Sequence, residues 1–379
     1  MSKNNKEEIS KDKVGDDNEY NSDTDTDDEV TYFVDDLDTV KLVVSCDGGG
    51  MRGLIALQIL EYIQEVCGVD IIHRADLLGG TSTGALLAFT KSNGYSDDEI
   101  TDTYKKMGVI MFDGFFKKFI NVLRDFCLSD MRAYEKELDR LFSQVKMSDF
   151  LQERKLFVLS SARNREQQTY IPKVISNYKP TSATVIQALR ATSSAPPYFS
   201  PVEIEGVTYV DGGILANNPI FKAKEESDRL FRPGTKLIMV SIGTGHVKNQ
   251  EKSTTPEMFS EGALSPALVR TLLSAIANSH SLHKDFKDSV HNNPMVSYHR
   301  FDVVLEDEIK LDDHSEKAIQ TMARTVQTFK EHTKIQKKLQ KLKEDLQSLP
   351  TKPAKPTKKS SSPPKSSKPT AVPQLHPQA

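Results

Sequence analysis

Tryptophan is absent, cysteine occurs at only three of 379 positions, and no apolar run approaches the length of a membrane span. Each absence removes a class of protein. Cys46, Cys67 and Cys127 form no C-x-x-C pair and make an odd count. That argues against a disulfide framework or a zinc site and fits a reducing compartment. A spanning helix needs about 20 apolar residues, and none exists here. The N-terminus is polar and gives no secretory signal, so the expectation is a cytoplasmic protein. No internal repeat and no cluster with metal-ligand spacing is present. Neither a metal nor another cofactor is therefore expected, nor a nucleic-acid partner.

The net charge of -3 conceals two opposed ends. Residues 1–38 carry fourteen acids against four lysines, with almost no apolar run. Such a segment buries too little surface to offset its chain entropy and is expected to be disordered. Residues 351–379 carry six lysines, no acids, seven prolines and five serines. Proline at that density forbids helix and sheet, so this end reads as an extended, disordered tail.

Between these ends the pattern is regular. Residues 40–46 (VKLVVSC) are short, apolar and β-branched, the mark of a buried strand. Glycines follow, then an amphipathic stretch from Leu54 to Val66. A second strand, Ala75–Leu78, runs into Gly79–Gly84, and Ala85–Phe89 opens a helix. Further strands are expected at 155–161, 169–175, 206–210 and 236–242, and helices near 132–146, 184–191 and 219–230. Strands alternating with helices imply a parallel sheet covered on both faces. Its ligand-bearing loops would gather at the carboxyl ends of the strands.

Three motifs sit at such ends. Asp47-Gly48-Gly49-Gly50-Met51-Arg52-Gly53 lies between strand and helix. Glycines there let successive N–H groups converge, and the next helix adds its positive end, so the loop suits negative charge. Gly48, Gly50 and Gly53 also satisfy a dinucleotide fingerprint, with Asp70 at a tolerable distance for a ribose contact. Gly80-Thr81-Ser82-Thr83-Gly84 is a G-x-S-x-G elbow, in which the central side chain alone points outward. Asp211-Gly212-Gly213 follows a strand. Taken alone it is a common turn, but a serine nucleophile needs a base and a strand-end carboxylate can serve. Burial beside apolar residues such as Ile214 would raise the weak basicity of that carboxylate. His246, in a Gly-Thr-Gly-His loop, would complete a triad if it lay nearby, whereas His280, His283 and His291 read as surface residues.

These segments together resemble the patatin-like phospholipases, lipid acyl hydrolases related to plant patatin and to calcium-independent phospholipase A2. The likeness rests on VVSCDGGGMRGLIALQILEYI, DLLGGTSTGALLA, ATSSAPPYFSPVEIEGVTYVDGGILANNP and IMVSIGTG, in the family's order, across about residues 40–330. It implies a three-layer α/β/α fold with a central, mostly parallel sheet, in a catalytic domain spanning 39–335. It implies a Ser-Asp dyad without catalytic histidine: Ser82 as nucleophile and Asp211 as base. Gly48, Gly49, Gly50, Met51, Arg52 and Gly53 would form the oxyanion hole, with Gly80, Gly84, Gly212 and Gly213 shaping the elbow and the base motif. Arg52 stands where the family has its loop arginine, and Cys46 replaces the usual aliphatic residue. The implied activity is phospholipase A-type hydrolysis of phospholipid or related acyl lipids, without calcium. A lipid-binding module that has lost turnover is the rival reading from another class.

One segment stands outside the resemblance. Ile335, Leu339, Leu342, Leu346 and Leu349 recur at helical spacing and make one apolar stripe, with Lys334, Lys337, Lys338, Lys341 and Lys343 around it. This predicts a basic amphipathic helix over 336–350. Such a helix either makes peripheral contact with an anionic bilayer or packs on the core.

Overall fold

The computed structural model describes residues 39–112, 131–164, 169–195, 199–247 and 279–351. The expectations for 1–38 and for nearly all of 351–379 fall outside these residues.

Strand β1 (Val40–Cys46) is buried along almost its whole length. Its side chains alternate between two cores, Leu42, Val44 and Cys46 on one side and Val43 on the other. A strand covered on both faces needs this continuous apolar run. β1 pairs in parallel with β2 (Leu77–Thr81) and β7 (Lys236–Ile242), β7 with β9 (Val296–Phe301), and β2 with β3 (Lys155–Arg163). Three pairings are antiparallel: β3 with β4 (Tyr170–Ser176), β3 with β6 (Val207–Asp211), and β6 with β5 (Val202–Ile204). The short β8 (His246–Val247) and β10 (Val304–Leu305) pair separately.

Helices cover both faces. On one side lie α1 (Gly53–Cys67), α3 (Thr83–Ser92), α4 (Asp97–Phe112), α5 (Met131–Phe142), α6 (Val185–Ser193) and two C-terminal helices, α10 (Glu316–Glu331) and α11 (Thr333–Leu346), around the larger core. On the other, α8 (Ile220–Leu230) and α9 (Ser279–Val290) bury Ile220, Ala223, Leu230 and Phe286 against Val43, Phe157 and Met239. The short α2 (Ile71–Arg74) and α7 (Gly213–Ala216) complete the set. The result is the expected three-layer α/β/α arrangement with a mostly parallel sheet.

The second strand runs later than its sequence suggests, because Gly79 and Gly80 belong to β2 rather than to a turn. A Cβ on Gly79 would lie 2.0 Å from the ring of Phe157, so the strand needs glycine where that ring crosses it. The helix expected over 132–146 ends at Phe142, where Ser143 turns with φ 53.

Helix α11 takes the second of the two readings open for its stripe and packs on the core. Leu339 and Leu342 are fully buried, and Ile335 and Leu349 pack against the same core. Lys343 Nζ donates to the Val66 carbonyl at 3.1 Å, the Cys67 thiol to the Leu339 carbonyl at 3.8 Å, and Gln336 to the Tyr62 hydroxyl. The helix thus shares the larger core with α1. The stripe faces α1, so it is not free to insert into a bilayer. Leu342→Ala should cost about 2–5 kcal/mol in denaturant unfolding, as for a core leucine. The exposed Lys341→Ala should stay within about 0.5 kcal/mol of wild type. Equal, small effects for both would mean that α11 does not pack as described.

Candidate active site

Two chain directions meet on one edge of β3. β2 ends with Thr81 opposite Leu159, and β6 ends with Asp211 opposite Ser160, the next residue along. β4 occupies the other edge, facing the same two residues with Val174 and Lys173. The carboxyl ends of β2 and β6 thus abut, which brings Ser82 beside Asp211.

Ser82 forms the turn from β2 into α3 with φ 50 and ψ -121, a conformation a serine seldom adopts. The turn is tight against β1: a Cβ on Gly84 would sit 2.3 Å from the Cys46 carbonyl oxygen. The Ser82 N–H donates to Thr192 Oγ1 at 2.9 Å. The Ser82 hydroxyl lies close enough to the Asp211 carboxylate to pull its pKa down, and both residues line one pocket. Asp211 accepts the Gly213 N–H at 2.6 Å. Burial pushes the Asp211 carboxyl up to about 7, against the downward pull of those two donors.

The glycine-rich loop is narrower as a binding element than its sequence suggests. The Gly48 N–H is committed to the Asn217 carbonyl at 3.1 Å, that of Met51 to Leu311 at 2.8 Å, and that of Arg52 to Gly49 at 3.1 Å. The Gly53 N–H caps the turn onto Gly50 and Met51. Only the amides of Gly49 and Gly50 donate to no group among the described residues, and both glycines line a pocket with Ser82 and Asp211. Arg52 is buried and does not line this pocket. Of the six candidate oxyanion residues, Gly49 and Gly50 keep the N–H groups that could serve.

Residues not singled out from the sequence hold that loop in place. Arg300 of β9 grips Asp47 with bonds of 2.9 and 2.7 Å. Thr244 Oγ1 and Asn217 Nδ2 donate to the Gly48 carbonyl at 2.7 and 3.0 Å. The tandem Asn-Asn-Pro and Gly-Thr-Gly motifs marked these regions, but nothing in them specified the contact.

The pocket holds about 970 Å³ of empty space, its open mouth included, and is walled by Met51, Leu86, Met107, Met111, Tyr134 and Phe199. Its lining is mostly apolar, with Ser82, Asp211 and the backbone of Gly49 and Gly50 among it.

His246 takes no part in it. Its Nδ1 bonds Asp302 at 2.8 Å and its ring stacks on His280 at 4.1 Å. His280 and His283 are half-buried rather than on the surface. His246, His280 and Asp302 lie close enough together to suggest a metal site. Asp302, however, already receives Arg300 at 3.0 Å and the Gly245 N–H at 2.8 Å. A guanidinium that close opposes a second cation, so the cluster does not suit one.

Residues 44–224, which span the glycine loop, the elbow and the Asp-Gly-Gly motif, match the family described as patatin-like phospholipase. The chain carries a patatin-like phospholipase domain. It is 27% identical over 335 residues to calcium-independent phospholipase A2-gamma of Rattus norvegicus, covering 83% of this chain and 42% of that protein. It is 30% identical over 278 residues to intracellular phospholipase A2 of Caenorhabditis elegans, covering 69% of this chain and 25% of that one. A cGAMP-activated phospholipase of Vibrio cholerae is 27% identical over 64% of this chain and 75% of its own length. The chain thus spans less than half the length of the two animal relatives.

The buried Asp211 carboxyl gives a test independent of activity. An Asp211 that titrates near 7 when folded and near 3.8 in its ordinary state keeps a proton that the unfolded chain has lost. Its stabilising contribution is complete at low pH and is lost as pH rises toward about 7, by up to about 1.4 kcal/mol per unit. The stability of Asp211→Asn relative to wild type should therefore grow between about pH 4 and 7 and level off above. Denaturant unfolding across that range checks it, and a flat difference would contradict a raised Asp211.

Proposed function

We propose that this patatin-like domain is a serine-dependent acyl hydrolase that releases fatty acids from phospholipids or related acyl lipids. The observation that carries the reading is Ser82 beside a buried Asp211 whose carboxyl is pushed up to about 7, in a mostly apolar pocket that Gly49 and Gly50 also line.

The acyl chain lies along the Met107, Met111 and Phe199 wall, with its ester carbonyl at Ser82. Ser82 Oγ attacks the carbonyl carbon while Asp211 takes the hydroxyl proton. Negative charge develops on the carbonyl oxygen, which the Gly49 and Gly50 N–H groups receive; one such donor is worth about 10^2–10^3 in rate. The protonated Asp211 returns its proton to the departing alcohol. Water, deprotonated by Asp211, then attacks the acyl-serine; the fatty acid leaves, and Asp211 returns the proton to Ser82 Oγ. Each step uses groups of the chain and no metal.

The relatives' names support the substrate class, since all three are called phospholipases. The dinucleotide reading loses its ribose partner: Asp70 caps α2, accepting the Ile72 and His73 amides and pairing with the His73 ring. The lipid-binding reading does not account for a serine held in a strained elbow beside a raised carboxylate. Among the described residues no helix is long and apolar enough to cross a membrane. With its stripe buried, α11 would meet a bilayer through lysine charge alone.

A fluorogenic acyl ester, followed by lipid mass analysis on mixed phospholipid vesicles, tests the proposal. Ser82→Ala and Asp211→Asn should each lower turnover by at least about 10^3-fold, whereas His246→Ala should keep most of it. Excess chelator should leave the rate unchanged. Turnover surviving in folded Ser82→Ala would reject the nucleophile.

A further inference from the structure

The last turn of a helix leaves carbonyl groups without helical partners. In α6 those carbonyls face the site. Ser160 Oγ donates to the Ala191 carbonyl at 2.8 Å, the Gly212 N–H to Thr192 at 3.3 Å, and the Asp211 N–H to Ser194 at 3.0 Å. The helix end therefore holds the strand end that carries the base. Thr192 does more. Its Oγ1 accepts the Ser82 N–H at 2.9 Å and donates to the Leu159 carbonyl. One fully buried residue thus touches the elbow through its hydroxyl, β3 through the same oxygen, and the residue after the base through its carbonyl.

We propose that Thr192 is a positioning residue that sets the spacing between Ser82 and Asp211. The proposal rests on the serine–aspartate reading above. Ser82 sits at φ 50, and its N–H lies between β2 and α3, where neither element bonds it. Thr192 Oγ1 is its acceptor. Replacing that oxygen by a methyl group leaves two buried groups unpaired, the Ser82 N–H and the Leu159 carbonyl, and removes a restraint on a strained turn. Threonine is suited to the task because its branched side chain is stiff at χ1, which fixes where the hydroxyl points. The neighbouring Ser193 and Ser194 cannot substitute. Ser194 Oγ returns to the Arg190 carbonyl, and Ser193 Oγ to Leu189 and the Tyr134 hydroxyl.

Thr192→Val keeps the volume and removes the acceptor, while Thr192→Ser keeps the acceptor. The full chain is assayed with a fluorogenic ester and with a fluorophosphonate probe, whose reaction rate reports Ser82 nucleophilicity without lipid. Thr192→Val should lower kcat and the labelling rate by about 10–100-fold, the scale of a misplacement near 1 Å, with KM little changed. The acid limb of its pH profile should move to higher pH, because the Ser82 hydroxyl is one of the donors holding Asp211 down. Thr192→Ser should restore rate and profile. If Thr192→Val does not fold, Thr192→Ala gives the same comparison. A folded Thr192→Val or Thr192→Ala with wild-type labelling, or a folded Thr192→Ser as slow as either, would overturn the proposal. Labelling that persists in Ser82→Ala would instead locate the fault in the nucleophile.

Discussion

Register on β3 is the constraint from which the site follows. Two strands from distant parts of the chain end against neighbouring residues, Leu159 and Ser160, from opposite directions. Side chains alternate faces along a strand, so a slip of one residue in either partner would turn one of the two candidate side chains to the wrong face. The surrounding bonds guard this register. Ser160 Oγ donates to the Val210 carbonyl at 2.8 Å and Ser161 Oγ to the Asp211 backbone carbonyl at 3.0 Å, so the two serines that follow Leu159 hold the end of β6. Polar side chains in the middle of a buried strand are costly unless bonded. Here each is bonded to the strand it positions.

The glycine loop is held by a different kind of contact. Asp47 and Arg300 are both buried, 253 residues apart, and joined by two hydrogen bonds. Removing one partner of such a pair leaves an uncompensated charge and typically costs about 3–5 kcal/mol. That dependence makes the loop a product of the whole sheet, since Arg300 belongs to β9 on the far side of β7. Local glycine content permits the turn, and the ion pair from β9 anchors its first residue.

This division explains what could be read in the sequence. β1 and β7 declare themselves through apolar, β-branched runs, and the structure places both within the residues expected. The elbow and the Asp-Gly-Gly turn are equally local, so Ser82 and Asp211 were legible as candidates. β9 was not. Its sequence VSYHRF carries a histidine and an arginine inside a sheet. Their burial makes sense only once Asp345, bonded to His299 at 2.7 Å, and Asp47 are folded beside them. Which loop amides stay free is likewise a tertiary fact, decided by acceptors at Asn217 and Leu311. The stripe on α11 shows the remaining limit. Periodicity defines an apolar face, but a bilayer and α1 ask for the same face, and only the packing distinguishes them.

Asp211 and Asp302 show how one residue type takes two roles at strand ends of the same sheet. Asp302 faces Arg300, His246 and the Gly245 N–H, which together hold it well below the usual carboxylate range despite burial. It is fixed as an anion and is a poor proton acceptor. Among the described residues, the groups that pull Asp211 down are neutral, the Gly213 amide and the nearby Ser82 hydroxyl, and burial prevails. A general base works best when it titrates near the operating pH. Histidine meets that condition from its own chemistry, with a reference value of about 6.5. Burial brings Asp211 to the same range, so in the proposed mechanism no imidazole is needed between serine and carboxylate. An arginine placed near Asp211, as Arg300 is near Asp302, would undo this by stabilising the anion. The catalytic reading therefore depends as much on the neutrality of what surrounds Asp211 as on the nearness of Ser82.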